Sequence, residues 1–562
     1  MQIKHHIPVC KGVLAICTML ACSCIDNKYD LGKEIELNIG FGADGLTLPT
    51  SNTDRMELSQ IIELGENGQL TTDTEGNYLF YKSGRNMDST IVSIGHGSIC
   101  NATEDNYTYY FKQDSQLETE TKSGQYNTAV MRFTTDLSPT YQPDRMSDCV
   151  RAIEYVKTSL QIDIQMIFEG VSEFTSNISD IRYEVPSFYV LEDESELHET
   201  QVSTRDMHRH TIHTRGVDFN AATKEGEKIG YDAETGTITM AGHVKMHFTI
   251  NTAHMDEYEL LDNPCITIRV TAGTLGTNEV TGRFDQNERV DVEPITFEDL
   301  PDMINDDEVV IDLDNPVVRL TVENEVPARA LVNAKMTAYR NGTETARLDI
   351  GEAYGTDSIQ FEGGSRQTVW ISRKPMEIPD TVSKNVVISN MTDLLARMPD
   401  RIEIDGQAHT DSSQVVVMGL NQRYTVQPTY ELVAPLIIGP KMKLVYTKEI
   451  DDLHTAIKDL EINSLTLRAT AVNNIPLDLT TTLKAMDGSG NEIGGIALEQ
   501  SRTIKGLDTT DITLTVTGEP QDFHKLDRIE IKAYAESSGT LAGQALNENQ
   551  ALRLEDIKVT VK

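Results

Sequence analysis

Between Leu160 and Phe168 the chain reads LQIDIQMIF, with an apolar residue at every second position. Leu160, Ile162, Ile164, Met166 and Phe168 share one face of an extended strand; a helix, with its period of 3.6, would scatter them. The same β character recurs in GHVKMHFTI, CITIRVTAG, VVRLTVEN, LTLRATAVN and LRLEDIKVTV. Turn signals punctuate these runs at Glu75-Gly76-Asn77, Glu234-Thr235-Gly236, Asn341-Gly342 and Asp487-Gly488-Ser489-Gly490-Asn491. Helical patterns are few and short, the better ones being Met391–Arg397 and Asp451–Leu460. Many short strands with Gly and Asn turns predict an all-β, multidomain chain of sandwiches with a few short helices.

One internal repeat is visible. NPVVRLTVENEVPARALVNAKMTAYRNG, from Asn315, aligns without a gap with SLTLRATAVNNIPLDLTTTLKAMDGSGN, from Ser464. Arg319 falls on Arg468, Asn324 on Asn473 and Pro327 on Pro476. The shared pattern is a strand, then Asn-x-(Val/Ile)-Pro, then a second strand and a hairpin turn. Proline cannot donate to a ladder, which puts it at a bulge or an edge. DRIEI occurs at Asp400–Ile404 and again at Asp527–Ile531, with an insertion of about twenty residues in the first copy. Such strand–Asn–Pro units resemble the small Ig-like sandwiches of the late-embryogenesis-abundant (LEA-like) type. Residues 50–300 show no clear copy of the unit.

The first thirty residues carry an address. Lys4 and Lys11 precede Gly12–Ala21, ten residues without a charge, and LACSCIDNKYD follows. A basic start, a short apolar stretch and small residues at its end make a secretory signal; about 20 apolar residues are needed to span a bilayer. Cys24 and Cys22 compete as the residue after the cut. Cys24 is favoured, because IDNKYDL then opens the mature chain. The pieces Asp26, Lys28-Tyr29-Asp30-Leu31 and Leu46-Thr47-Leu48-Pro49 resemble the start of uncharacterised Bacteroidales outer-membrane lipoproteins. That resemblance implies acylation of the cysteine, an anchor in the outer membrane and, through Asp26, exposure at the cell surface. The expected division is a signal peptide at 1–23, an acidic tether at 24–45, an N-terminal β-rich region of one or two domains at 46–300, and two repeat sandwiches at 301–445 and 446–562.

Charge narrows the partners. The chain has 49 basic and 88 acidic residues, net −39, so nucleic acid is excluded as a partner and anionic lipid repels the body. The expected partners are the membrane, through the N-terminal lipid, and a protein or glycan at the cell surface. Of seven cysteines, Cys100, Cys149 and Cys265 lie beyond position 24. Three thiols without a C-x-x-C pair read as small buried side chains rather than a disulfide framework or a zinc site.

Chemistry candidates are sparse. MHRHTIHTRG gathers His208, His210 and His213; on a strand His208 and His210 share a face, where neutral imidazoles could hold a metal. A solvated polar loop or edge strand after the acidic loop LEDESELHET accounts for them as well. Asp302, Asp306, Asp307, Glu308, Asp312 and Asp314 offer oxygens that calcium favours, without the spacing of a calcium loop. Tyr107, Tyr109 and Phe111 alternate on one strand and could form a platform for sugar faces; ordinary sheet packing explains them too. Trp370, the only tryptophan, weakens a glycan-binding reading. H-E-x-x-H, G-x-S-x-G and G-x-x-x-x-G-K do not occur. No catalytic residue and no cofactor is expected. The expected role is non-enzymatic: a structural, adhesive or partner-binding lipoprotein, with a glycan- or nutrient-binding accessory of an uptake system as the alternative.

Overall fold

The computed structural model describes residues 40–562 apart from short interruptions, the longest at 121–127 and 254–264. The gap-free repeat is a repeat of architecture. Val317–Asn324 and Ser464–Asn473 are interior strands of two sheets, and each ends in a buried asparagine. Asn324 Nδ2 donates to the Ala328 carbonyl at 3.1 Å and the Glu362 carbonyl at 3.2 Å, while its Oδ1 accepts from Val326 N at 3.1 Å. Asn473 repeats this with Leu477 at 3.0 Å, Lys505 at 3.1 Å and Ile475 N at 3.0 Å. A strand that leaves its sheet turns its peptide groups into the core, and each must find a partner there. The asparagine supplies both kinds, and Pro327 and Pro476 sit inside the corner it closes, where no N–H is asked for.

Each unit is a sandwich of two antiparallel sheets. In the second sandwich, one sheet runs in the order Tyr78–Gly84, Arg423–Pro435, Val317–Asn324, Ser365–Ser372. The facing sheet runs Asn287–Asp291, Arg401–Thr410, Ala330–Arg340, Thr343–Ile350. In the third, Gly45–Pro49, Ala551–Val561, Ser464–Asn473 and Asp508–Gly518 face Lys443–Ile450, Leu526–Glu536 and Asp478–Asp487. Both DRIEI segments therefore pair with the second strand of their repeat. The Asn341-Gly342 turn has positive φ at both residues, 49° and 75°, the backbone a two-residue hairpin needs.

The same wiring occurs a third time where the sequence shows no copy. Glu104–Tyr110, Cys265–Ala272, Gln161–Glu169 and Met207–Asp218 form one sheet. Thr128–Leu137, Val244–Ala253 and Ser176–Glu184 form the other. Strand for strand, this first sandwich has the order of the other two. The alternation at Leu160–Phe168 places Ile162, Ile164, Met166 and Phe168 in its core, opposite Ile178, Phe248 and Ile250. Two further cores fill the second and third sandwiches, with Val369, Ile371 and Leu432 in one and Leu465, Leu467 and Ile529 in the other.

The early chain does not stay with the first sandwich. Gly45–Pro49 pairs with Ala551–Val561 of the third, Tyr78–Gly84 with Arg423–Pro435 of the second, and Glu104–Tyr110 with Cys265–Ala272 of the first. Each sandwich thus takes strand pairing from residues 45–110, in reverse order of the bodies along the chain; Met56–Glu57 adds to the third and Thr90–Ser93 to the second. The expectation of one N-terminal region at 46–300 is corrected at both ends, since Asn287–Asp291 and Ile295–Thr296 pair with Arg401–Thr410 of the second sandwich. Edge strands pair through backbone groups, which any sequence carries, so nothing in their side chains marks the partner. The bodies are also joined sheet to sheet, with Val416–Gly419 of the second pairing Glu279–Phe284 of the first.

Helix is scarce. Asp393–Ala396 falls within the expected Met391–Arg397 pattern; most of Asp451–Leu460 lies outside the described residues. The polar stretch after LEDESELHET is not a loop: His198–Thr204 and Met207–Asp218 are strands. Among the described residues, no helix is long and apolar enough to cross a membrane.

Candidate functional site

On the outer face of the second sandwich, alternation turns polar side chains outward from four neighbouring strands. Register aligns them in rows. One row crosses the sheet as Ser83, Glu431, Arg319, Trp370. The next holds Thr429, Thr321 and Thr368, with Thr321 Oγ1 and Thr368 Oγ1 2.8 Å apart. Arg319 lies over the Trp370 ring at 5.2 Å from its centroid and donates to Glu431 Oε2 at 3.4 Å. Its Nε is buried and has no hydrogen-bond partner. Tyr81, 42% exposed, and Arg366 stand at the rim. With Pro379, Thr381 and Val382 these residues enclose a groove of about 540 Å³.

The roof of that groove is the insertion. Between the third and fourth repeat strands the second sandwich carries residues 373–400, where the third has only 519–525. The segment doubles back through Lys384–Val387, which pairs parallel to Ser365–Ser372. Val382 is buried, and Ser383 N donates to the Thr368 carbonyl at 2.8 Å. The groove therefore combines a repeat strand, the inserted segment and an edge strand from far up the chain. Sequence reasoning singled out Arg319 only as a repeat marker and counted Trp370 against a ligand site. The outward pattern Arg319-x-Thr321 beside Arg366-x-Thr368-x-Trp370 was the available signal.

The histidines are placed differently. Met207–Asp218 puts His208 and His210 on the inward face, opposite His198–Thr204 at the edge of the other sheet. His208 Nε2 lies 3.0 Å and His210 Nδ1 3.4 Å from the same oxygen, Glu199 Oε2, to which the Tyr183 hydroxyl donates at 2.6 Å. The His210 and Tyr183 rings stack, with centroids 4.4 Å apart. Burial would raise the Glu199 carboxyl, but hydrogen bonds from His208, His210 and Tyr183 outweigh it and hold the carboxyl well below the usual range. Burial would lower His210, and its bond to Glu199 outweighs that and raises it. Burial, helped by the bond to Glu199, pushes the Tyr183 hydroxyl up. His213 points away, as alternation requires, and meets Glu196 at 2.8 Å. The arrangement is a closed carboxylate–imidazole knot. Among the described residues no group of His, Cys, Asp and Glu is arranged to hold a metal ion.

The tyrosines do not form the exposed platform that alternation allowed. Tyr109 turns into the core, with its ring 6.2 Å from that of buried Phe133. Tyr107 packs edge-on to Tyr109 at 4.5 Å and is 51% exposed. Phe111 lies outside the described residues, as do Cys22, Cys24 and Asp302. The acidic run after it is divided among separate cations: Asp307 meets Arg340 at 3.1 Å, Glu308 meets Lys532 at 2.6 Å, and Asp312 meets Arg373 at 2.9 Å. Ion pairing within the chain, not convergence on one point, uses these oxygens. Cys149 and Cys265 are buried and free.

No family model matches the chain, and no curated protein does. Among solved structures, a candidate secreted protein from Parabacteroides distasonis ATCC 8503 is 15% identical, with a TM-score of 0.39 over 51% of this chain and 90% of that one. A structure of infectious bursal disease virus, Gx strain, is 9% identical with a TM-score of 0.15, over 86% and 84% of the two chains. The N-terminal domain of a Streptococcus gordonii adhesin is 11% identical with a TM-score of 0.14, over 93% and 99%. The all-β architecture rests on the strand pairings described above rather than on these likenesses.

Proposed function

We propose that the protein is a lipid-anchored, non-enzymatic component of the cell envelope that presents three linked sandwiches at the outer membrane. The stretch LACSCIDNKYD supports the anchor, with Cys24 acylated and Cys22 as the alternative. Several acyl chains on one cysteine meet the requirement for more than one hydrophobic signal in stable anchoring. The observation that carries the reading further is the pairing of Gly45–Pro49 with Ala551–Val561. A tether ending there attaches the third sandwich to the lipid, and the second and first follow outward. Metabolic labelling with a fatty-acid probe in Cys22→Ala, Cys24→Ala and the double variant tests this. Label lost with Cys24→Ala is the expected result; label retained in the double variant overturns the anchor.

A second reading is favoured by the groove. A lone tryptophan counts against glycan binding only if it is spent in a core, and Trp370 lies half-exposed beside Arg319 under the inserted roof. On this reading the protein is a glycan-binding accessory of an outer-membrane uptake system, with the second sandwich carrying the site. Binding of oligosaccharides to the purified protein, lost in Trp370→Ala, is its test.

A further inference from the structure

We infer that the groove on the second sandwich takes a carboxylate-bearing sugar, with Arg319 and Arg366 meeting the acid group while Trp370 and Tyr81 lie against the ring. This rests on the glycan-binding reading and names the class of glycan.

Charge is the first argument. The chain carries 88 acidic residues against 49 basic ones. The charged residues lining the groove reverse that balance, with Arg319 and Arg366 against Glu431. Arg366 is exposed and stands without an ion-pair partner among the described residues, and Arg319 holds only a long one. Arg319 reaches Glu431 at 3.4 Å, well beyond the roughly 2.7–2.9 Å of a closed charge-assisted bond. The Arg319 side chain is 40% exposed although its Nε is buried, so the guanidinium turns its terminal N–H groups toward the groove. A planar guanidinium end matches a planar carboxylate.

The rest of the lining suits a sugar. Trp370 and Tyr81 offer ring faces of the kind that pack against the C–H face of a pyranose. Thr321, Thr368, Thr429 and Ser83 offer hydroxyls between them, and Glu431 accepts from a sugar hydroxyl. The volume of about 540 Å³ lies within the roughly 300–1,000 Å³ of small-ligand sites. Glu431 also decides between anions: a carboxylate in the same row as Arg319 repels a doubly charged phosphate ester more than a singly charged acid. The roof at 373–400 has no counterpart in the third sandwich, so the site belongs to the second alone.

Trp370 provides the readout. It is the only tryptophan in the chain, so its emission reports on the groove and nothing else. The full-length protein is titrated with tri-galacturonate, with the same trisaccharide as its methyl ester, and with neutral xylo- and manno-trioses. The acid is expected to shift the emission and bind, with esterification or Arg319→Met weakening it about tenfold or more, as loss of a charged hydrogen bond does. Arg366→Ala weakens it less, and Tyr107→Ala leaves it unchanged. Calorimetry covers Trp370→Ala, which lacks the reporter, and circular dichroism confirms that each variant is folded. Equal binding of acid, ester and neutral sugars, lost in Trp370→Ala, overturns the carboxylate assignment and leaves the glycan reading standing. No binding of any sugar by folded protein, or binding indifferent to Trp370 and Arg319, overturns both.

Discussion

Val561 lies between Leu46 on one side and Leu465 on the other. Gly45–Pro49, itself flanked by Gly40–Gly42, is thus laid against Ala551–Val561, and the third sandwich is completed by chain about five hundred residues away from that strand. The second and first sandwiches take their edges from Tyr78–Gly84 and Glu104–Tyr110 in the same manner. Three bodies are sewn together by one run of chain. A pull on that run is resisted by backbone ladders in every sandwich in turn, which suits a tethered assembly better than three bodies joined only by linkers.

Deleting residues 40–49 should expose Lys558–Val561 as a bare edge, while Met56–Glu57 still covers Ala551 and Leu552. The lost register spans four residue pairs; at roughly 1 kcal/mol net per hydrogen bond the cost is about 2–4 kcal/mol. Exposed edges recruit other chains, so sedimentation should show self-association and urea titration an earlier first transition. A monomer with unchanged unfolding would mean the strand is dispensable.

Asn324→Ala and Asn473→Ala should cost similar amounts, about 2–4 kcal/mol each, because each strands one buried carbonyl, one part-buried carbonyl and a buried N–H. Asn324→Asp should be worse, since it removes the donor and buries a charge. Chemical denaturation of the three variants checks the order. If Asn473→Ala proves silent while Asn324→Ala does not, the two corners are not equivalent.

How much of this the sequence disclosed follows from what side chains encode. The second and third sandwiches were legible because the Asn–Pro corner needs those residue types and repeats them in register. The first has the same strand order, but its Gln161–Glu169 strand shares only alternation with Val317–Asn324, and alternation specifies a face without specifying a neighbour. The path of Gly45–Pro49 and Tyr78–Gly84 was invisible for the reason edge pairing is promiscuous: the contacts are backbone. For the groove, the insertion was countable from the spacing of the DRIEI segments. That it folds over Trp370 was not, because its position depends on Lys384–Val387 pairing parallel to Ser365–Ser372.

The knot around Glu199 should give stability that depends on pH with a definite sign. Glu199 titrates lower in the folded protein, so its contribution is present above the unfolded value of about 4.3 and is lost as pH falls through the folded one. His210 titrates higher, so its contribution is present below about 6.5 and is lost as pH rises through the folded value. The two overlap most between about pH 4.3 and 6.5. Glu199→Gln should therefore destabilise by about 1–3 kcal/mol there, with the gap to the wild type narrowing on the alkaline side. A gap that stays constant from pH 5 to 9 would mean that hydrogen bonding alone, without charge, holds His210 to this site.

Asp312 makes the sharpest test of the joint between the second and third sandwiches. Its side chain is buried, with Oδ1 accepting from Arg373 Nη1 at 2.9 Å and Oδ2 from Lys441 N at 2.9 Å. Around it Val310 bridges to Lys443 and Leu313 to Ile438, so the carboxylate stands where one body hands the chain to the next. Gly439 belongs to the same lock: a Cβ there would come within 2.5 Å of the Asp312 carboxyl carbon. Arg373→Met leaves a buried carboxylate without its cation, a change that costs about 3–5 kcal/mol. Arg373→Met combined with Asp312→Asn removes the charge as well and should recover most of that loss, since the amide oxygen can still accept from Lys441 N. The comparison separates a missing charge partner from a missing side-chain stem. If the double variant is no more stable than Arg373→Met, the aliphatic part of Arg373 is what the joint requires, and the ion pair is incidental.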